Sequence, residues 1–183
     1  MNFKSVAEKL LASFVERKIR YALIGGFAVG LWGAARATVD MDFLVLREDL
    51  EFLDGIMASL GYELRFRSEN VSHFVAADNL FGEVDFLHAF RRPSLRMLER
   101  AREMKIFGEE IAIRVLIPED LIGLKLQAIA NNAEREFADM ADIEALMRIH
   151  GSELDWGLIE EYFALFEMDE LFALLKGRFH GIH

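Results

Sequence analysis

The feature that most constrains this chain is a pair of acidic residues inside an apolar stretch. Asp40 and Asp42 alternate with Met41 and Phe43 in the segment 38–46. Because successive side chains of a strand point to opposite faces, a strand here places both carboxylates on one face and the apolar residues in a core. Two adjacent carboxylates repel each other, and a cation between them keeps both ionised. The pattern therefore predicts a half-buried strand with a cation-binding face.

A glycine pair precedes these acids. Residues 21–24 are apolar and predict a short buried strand, Gly25 and Gly26 predict a turn, and a helix is expected over 27–35. At the start of a helix the backbone N–H groups point outward, and glycine lets an anion such as a triphosphate come close. Mg²⁺ takes carboxylate oxygens together with substrate phosphates. The two features together predict a metal-dependent enzyme that handles phosphates.

A third acid follows in another apolar segment. Asp85 lies between Val84 and Phe86 in a predicted strand over 83–90. If this strand neighbours the first, Asp85 comes to lie beside Asp40 and Asp42. Three carboxylates on adjacent strands can hold two Mg²⁺ ions, one to activate an attacking hydroxyl and one to stabilise the leaving pyrophosphate.

The remaining periodicity predicts an α/β (α+β) chain. Helices are expected over 3–18, 27–35, 49–60, 94–106, 119–131 and 134–150, with one or two more over 155–179. Strands are expected over 21–24, 38–46, 62–67, 73–77, 83–90 and 110–116, with a hairpin turn over 78–82. We therefore expect a mixed sheet of about five strands flanked by helices in 1–116, and a helical subdomain in 117–183 packed on that core.

Composition excludes some classes of protein. The chain has 183 residues, no cysteine and a formal net charge of −10, so disulfides and thiolate metal sites are excluded. An acidic surface disfavours broad nucleic-acid binding, although seven arginines between 65 and 102 leave a local basic groove open. The uncharged stretch 21–35 is shorter than the roughly 20 residues that span a bilayer. With no signal-peptide pattern at the N-terminus, we expect a cytoplasmic protein without membrane contact.

Taken in order, these motifs resemble a known family. The glycine pair, the Asp-x-Asp at 40–42 and the later Asp85 resemble the nucleotidyltransferase superfamily with the DNA polymerase β fold. Leu-Ile-Gly-Leu-Lys-Leu-Gln-Ala at 121–128 resembles the lysine motif of the AbiEii-type toxin nucleotidyltransferases, and Arg135 with Asp139 resembles that group's fourth motif. The matching pieces span 25–142.

The resemblance implies a role for each matching residue. The predicted metal ligands, one of them also a general base, are Asp40, Asp42 and Asp85. The predicted contacts to the triphosphate are Gly25, Gly26, Arg36 and Thr38. Lys125 would contact nucleotide phosphate or orient the acceptor, and Arg135 and Asp139 would lie at the edge of the nucleotide pocket. Many family members have Gly-Ser where this chain has Gly25 and Gly26, so the serine hydroxyl that contacts phosphate is missing.

The implied activity is transfer of a nucleoside monophosphate from an NTP to an acceptor hydroxyl with Mg²⁺. Three acceptor classes are compatible with the pattern: an RNA end, a protein side chain and a small molecule. A toxin role with an antitoxin-like protein partner is part of the resemblance. The alternative is a catalytically silent module that binds nucleotide or a partner.

Several of these residues also have purely structural interpretations. Lys125 could cover the core edge with its stem while its ammonium reaches water. Arg135 and Asp139 could form an ordinary surface pair one helical turn apart, and Asp142 could be a helix-surface residue or an intrahelical partner. The aromatic residues of 156–179 favour packing, with a homodimer interface or a partner-binding groove as the alternative.

Overall fold

The computed structural model describes residues 3–34, 38, 40–77, 82–108 and 110–180. The chain divides into two compact units. One contains Met1–Ala28 and Arg36–Leu116, and the other contains Val29–Ala35 and Ile117–His183. The short segment Val29–Ala35 thus belongs with the helical unit, although the sequence interpretation assigned it to the α/β core.

The described residues form helices and strands in the following order. The helices are α1 (Phe3–Arg17), α2 (Gly25–Leu31), α3 (Leu50–Ser59), α4 (Arg92–Arg100), α5 (Pro118–Asn131), α6 (Glu136–His150), α7 (Trp156–Leu165) and α8 (Asp169–Phe179). The strands are β1 (Tyr21–Ile24), β2 (Asp40–Leu46), β3 (Tyr62–Arg67), β4 (Val71–Ala76), β5 (Glu83–Ala89), β6 (Arg102–Ile106) and β7 (Ile111–Val115). Val39 and most of the predicted turn over 78–82 lie outside the described residues.

The first unit is built on a mixed sheet. In the described part of the chain its seven strands follow the order β3-β4-β5-β2-β1-β7-β6. The pairs β2–β5 and β1–β7 are parallel, and the other neighbouring pairs are antiparallel. The predicted α/β class with a mixed sheet is therefore confirmed.

In the described residues the sheet has seven strands where about five were predicted, and the predicted helix over 94–106 is confirmed only as far as Arg100. The helix α4 ends at Arg100 because Ala101 turns to extended backbone (φ −53, ψ 136), and the next residues form β6. This edge strand pairs with β7, to which the chain returns through Phe107 and Gly108, both with positive φ. Backbone pairing with β7 decides the conformation of 102–106, overriding the helical propensity of those residues.

The core of the first unit lies on one face of the sheet. Phe43 and Phe86 stack with ring centroids 5.8 Å apart, and Phe14 of α1 meets Phe43 edge-on at 5.7 Å. Met41 and Val84 are fully buried beside them. The alternation predicted for both acidic strands is thus confirmed on its apolar side.

The second unit contains α5 to α8. The side chain of Asp155 caps α7 by accepting hydrogen bonds from the backbone of Gly157 and Leu158. The Tyr162 hydroxyl donates a hydrogen bond of 2.6 Å to the buried Asp120, and its ring lies so close to Gly123 that a Cβ there would be 2.8 Å away. The aromatic residues buried in this unit are Trp156, Tyr162, Phe163, Phe172 and Phe179.

Across the described ranges, no helix is long and apolar enough to cross a bilayer.

A buried polar network crosses the core face at β4 and β5. Arg67 Nε donates to Ser72 Oγ at 2.8 Å, and Ser72 Oγ lies 2.8 Å from His88 Nε2. Because a carbonyl only accepts, His88 Nδ1 donates to the Glu69 carbonyl at 3.0 Å. In the neutral ring Nε2 is then unprotonated and accepts from the Ser72 hydroxyl. Burial lowers the pKa of His88. The network therefore holds His88 neutral.

We predict that this histidine makes the fold sensitive to mild acid. Its pKa is lower in the folded than in the unfolded chain, so its contribution to stability is present above the unfolded value of about 6.5 and is lost as pH falls towards the folded value. His88→Gln, measured by thermal unfolding between about pH 7 and pH 5, is expected to flatten the decline in Tm. The exposed His180→Gln is the control and keeps the wild-type decline. An unchanged slope in His88→Gln would contradict the assignment.

Candidate active site

The acidic residues meet through strand register. In the parallel pair β2–β5, Asp42 lies opposite Asp85, and Asp40 lies opposite Glu83. In the antiparallel pair β4–β5, Asp85 lies opposite His73. Register partners share a face of the sheet. The structure thus brings together the three acids singled out in the sequence and adds Glu83 and His73 to them.

This face is partly accessible and strongly acidic. Asp40, Asp42 and Asp85 are half-buried, and Glu83 is exposed. Burial raises the pKa of Asp40, the negative charges of Glu83 and Asp85 raise it further, and His73 opposes them. The fold therefore holds carboxylates where they destabilise one another.

The donor set fits a hard divalent cation. Carboxylate oxygens are the protein ligands that Mg²⁺ takes, and a cation would relieve the repulsion that, after burial, raises the pKa of Asp40. As the side chains stand in the described residues, no three His, Asp or Glu groups are arranged to hold a metal ion. His73 Nδ1 hydrogen-bonds to Asp85 Oδ1. Mg²⁺ binding by Asp40, Asp42 and Asp85 stays a prediction.

Gly25 is required by its contact with the acidic face. Its φ of +68 is strained for other residues, and a Cβ would lie 1.9 Å from Asp42 Oδ2. Gly26 follows it and is buried. Thr38 donates its hydroxyl to the Asp40 carbonyl at 3.3 Å, and Arg36 lies outside the described residues. Contacts of these residues with a triphosphate stay predictions.

In the helical unit, the lysine motif forms a buried ion cluster. Lys125 Nζ lies 2.9 Å from Asp139 Oδ1 and 2.5 Å from Asp142 Oδ2. Arg135 Nε donates to Asp139 Oδ2 at 2.9 Å. Burial raises the pKa of Asp139, but hydrogen bonds from Arg135 and Lys125 outweigh it and hold the pKa below its usual range.

Arg135 and Asp139 do pair one helical turn apart, but the structural interpretations are wrong where they place a charged group at the surface. The Lys125 ammonium does not reach water, because the residue is 7% exposed and is enclosed by carboxylates. Asp139 and Asp142 are buried, so the first is not half of a surface pair and the second is not a surface residue. The predicted roles of Lys125, Arg135 and Asp139 towards nucleotide stay predictions.

Sequence reasoning missed His73 and Glu83. The hairpin contained a signal for His73. Residues that lie equally far along the sequence from position 79 pair across β4 and β5, so His73 pairs with Asp85. Glu83 lies two residues before Asp85 and so shares its face.

Known proteins share both the sequence pattern and the fold of this chain. A family model described as "Uncharacterised nucleotidyltransferase" matches residues 4–175. Among solved structures, the antibiotic-resistance factor ANT(2'')-Ia is similar with a TM-score of 0.67 and 17% identity over 97% of this chain and 98% of that one. The lincosamide antibiotic adenylyltransferase LnuA has a TM-score of 0.56 and 14% identity over 79% and 96%. No curated protein matches the sequence.

A putative nucleotidyltransferase from Thermotoga maritima has a TM-score of 0.50 and 16% identity over 75% of this chain and 86% of that one. These likenesses confirm the predicted fold. Because the family model covers nearly the whole chain, the protein belongs to that nucleotidyltransferase family and is a nucleotidyltransferase enzyme. The predicted superfamily is confirmed, and the closer relationship to AbiEii-type toxins stays a prediction.

Gly25→Ala is expected to reduce activity by more than its backbone strain alone would. Gly61→Ala is a matched control, since Gly61 also has positive φ (+81) but no heavy atom lies within 4 Å of the position that a Cβ would take there. Both variants lose about 1–2 kcal/mol from left-handed strain. Only Gly25→Ala displaces Asp42, so it alone should lose pyrophosphate release from NTP. Equal activity of the two variants would contradict this role.

Lys125→Met is expected to destabilise the fold by about 3–5 kcal/mol, because it leaves two buried carboxylates without their shared cation. Chemical denaturation measures this free energy of unfolding. Lys176→Met, which removes a half-exposed partner of Glu160 at 3.7 Å, is the control and should cost at most about 1 kcal/mol. A loss in Lys125→Met no larger than in the control would show that the cluster contributes little.

Proposed function

We propose that this enzyme transfers a nucleoside monophosphate from an NTP to an acceptor hydroxyl, with Mg²⁺ held by Asp40, Asp42 and Asp85. The observation that carries the proposal is the register of β2 and β5, which sets Asp42 opposite Asp85 with Asp40 on the same face. The family supports nucleotidyl transfer, and the donor chemistry supports Mg²⁺.

Each residue has a distinct task in this proposal. When bound, Mg²⁺ neutralises phosphate charge and lowers the pKa of the attacking hydroxyl. Gly25 and Gly26 bring the backbone against the triphosphate on the β1 side of Asp42. Asp85, whose side chain is 44% accessible, takes the proton from the acceptor hydroxyl. The hydrogen bond from His73 fixes one Asp85 oxygen and leaves the other for that proton.

A small-molecule acceptor is favoured over RNA. One similar structure is ANT(2'')-Ia in complex with adenylyl-2''-tobramycin, with a TM-score of 0.60 and 14% identity, and LnuA is lincomycin-bound. The net charge of −10 works against a polyanionic acceptor. Protein and RNA acceptors, including those of a toxin, are the outcomes that the experiments below would detect.

The first test is pyrophosphate release from each of the four NTPs with Mg²⁺ and a cell extract as the pool of acceptors. Asp40→Asn/Asp42→Asn is expected to slow Mg²⁺-dependent release about 100-fold or more, the effect of removing one transition-state charge stabiliser. Asp169→Asn, an exposed acid in the first turn of α8, is the control and keeps full activity. Chelation of Mg²⁺ should abolish release in all variants. Release that survives both chelation and the double substitution would overturn the proposal.

A further inference from the structure

Phe66 is a large apolar side chain that the fold leaves 56% exposed. It lies on β3, the edge strand of the sheet beside β4. Its register partner is His73, which contacts Asp85. An exposed aromatic ring therefore lies at the edge of the sheet in line with His73, Asp85 and Asp42. These register partners form one row across the sheet.

A β-bulge turns this ring towards the acids. The β3–β4 register shifts between Leu64, which pairs with Phe74, and Phe66, which pairs with His73, so Arg65 is the extra residue. In regular pairing Arg65 would lie opposite His73, and Phe66 would take the buried side opposite Ser72. Bulges near active sites commonly re-aim a side chain in this way.

The row has a fixed order across the sheet. From the edge inward it reads Phe66, His73, Asp85, Asp42 and Ile24, and Gly25 follows Ile24. Neighbouring strands are about 4.8 Å apart, so Phe66 lies about 10 Å from Asp85. That distance is the span of a molecule of one or two rings.

This order separates donor and acceptor, if the proposed function holds. The triphosphate lies on the Gly25 side of Asp42, and the attacking and leaving oxygens of nucleotidyl transfer are roughly in line. The acceptor must then approach from the opposite side, over β5, β4 and β3. His73 and Phe66 are the side chains of the row that lie there.

The charge around Phe66 selects the kind of acceptor. Glu63 pairs with Val75, and Val75 pairs with Glu83, so both glutamates share the face of Phe66 one step along the strands. Both are exposed. Carboxylates beside an aromatic ring attract cations through charge and through the ring face, and they repel the phosphates of RNA.

We infer that Phe66 packs against the acceptor and selects a small cationic molecule with a ring. The inference rests on the proposed function for the reaction itself. It assigns to Phe66 a specificity role and to the face of β3 to β5 the acceptor subsite.

The test measures transfer of labelled nucleotide to acceptors from a cell extract. Wild type and variants receive NTP labelled at the α-phosphate, Mg²⁺ and one of three fractions: cationic small molecules, RNA or protein. We expect label in the cationic small-molecule fraction. Phe66→Ala should transfer about tenfold less, the factor that about 1.4 kcal/mol of lost contact represents, and Phe66→Tyr should retain transfer because it keeps the ring.

Phe52→Ala is the matched control. Phe52 is 52% exposed, nearly as much as Phe66. It lies on α3, which packs on the opposite face, where Asp54 of that helix binds Arg67. Removing it takes away a similar exposed ring without touching the row, so transfer should be unchanged.

Two further readouts separate this inference from the proposed function. Affinity for a non-hydrolysable NTP and pyrophosphate release to water should be the same in Phe66→Ala and wild type. A wild-type protein that neither binds the NTP analogue nor releases pyrophosphate would overturn the proposed function. Three outcomes with intact pyrophosphate release would overturn only the role of Phe66. They are label in RNA or protein, no labelled acceptor at all, and equal transfer by Phe66→Ala and Phe52→Ala.

Discussion

The parallel pairing of β2 with β5 is the constraint on which the active face depends. A slip of one residue would turn every side chain of a strand to the other face, so the acids coincide only if the register is fixed. The core fixes it, because Phe43 lies opposite Phe86 in the same ladder and their rings stack at 5.8 Å. Apolar packing on one face thus stabilises an arrangement of carboxylates that repel one another on the other.

That repulsion also explains His73. Burial raises the pKa of Asp40 and the charges of Glu83 and Asp85 raise it further, so ionising the row carries a cost. His73 reduces it locally through its hydrogen bond to Asp85, and its Nε2 lies 3.7 Å from Glu83. Functional sites are where local stability is given up, and here the histidine and the buried rings beneath the strands offset what the acids lose.

How much of this could be predicted depended on how local each signal was. Alternation within one strand placed Asp40, Asp42 and Asp85 on an accessible face, because a period of two needs no knowledge of the rest of the fold. The strand over 102–106 was missed because its conformation depends on pairing with β7. Phe66 was missed because a bulge reverses the face that simple alternation assigns to it. The motif identified Lys125, but the pattern did not show that its charge is buried.

The ion cluster of the helical unit shows the limit of transferring a role by motif alone. Lys125 and Arg135 face Asp139 and Asp142, so the cluster has two positive and two negative groups. A nucleotide phosphate would compete with two buried carboxylates for the same ammonium, and breaking such a pair leaves an uncompensated buried charge. Two of the three N–H groups of the Lys125 ammonium face carboxylates, so a phosphate contact would have to use the third N–H of a nearly buried group. Holding α5 against α6 requires no such contact, and the cluster does that as it stands.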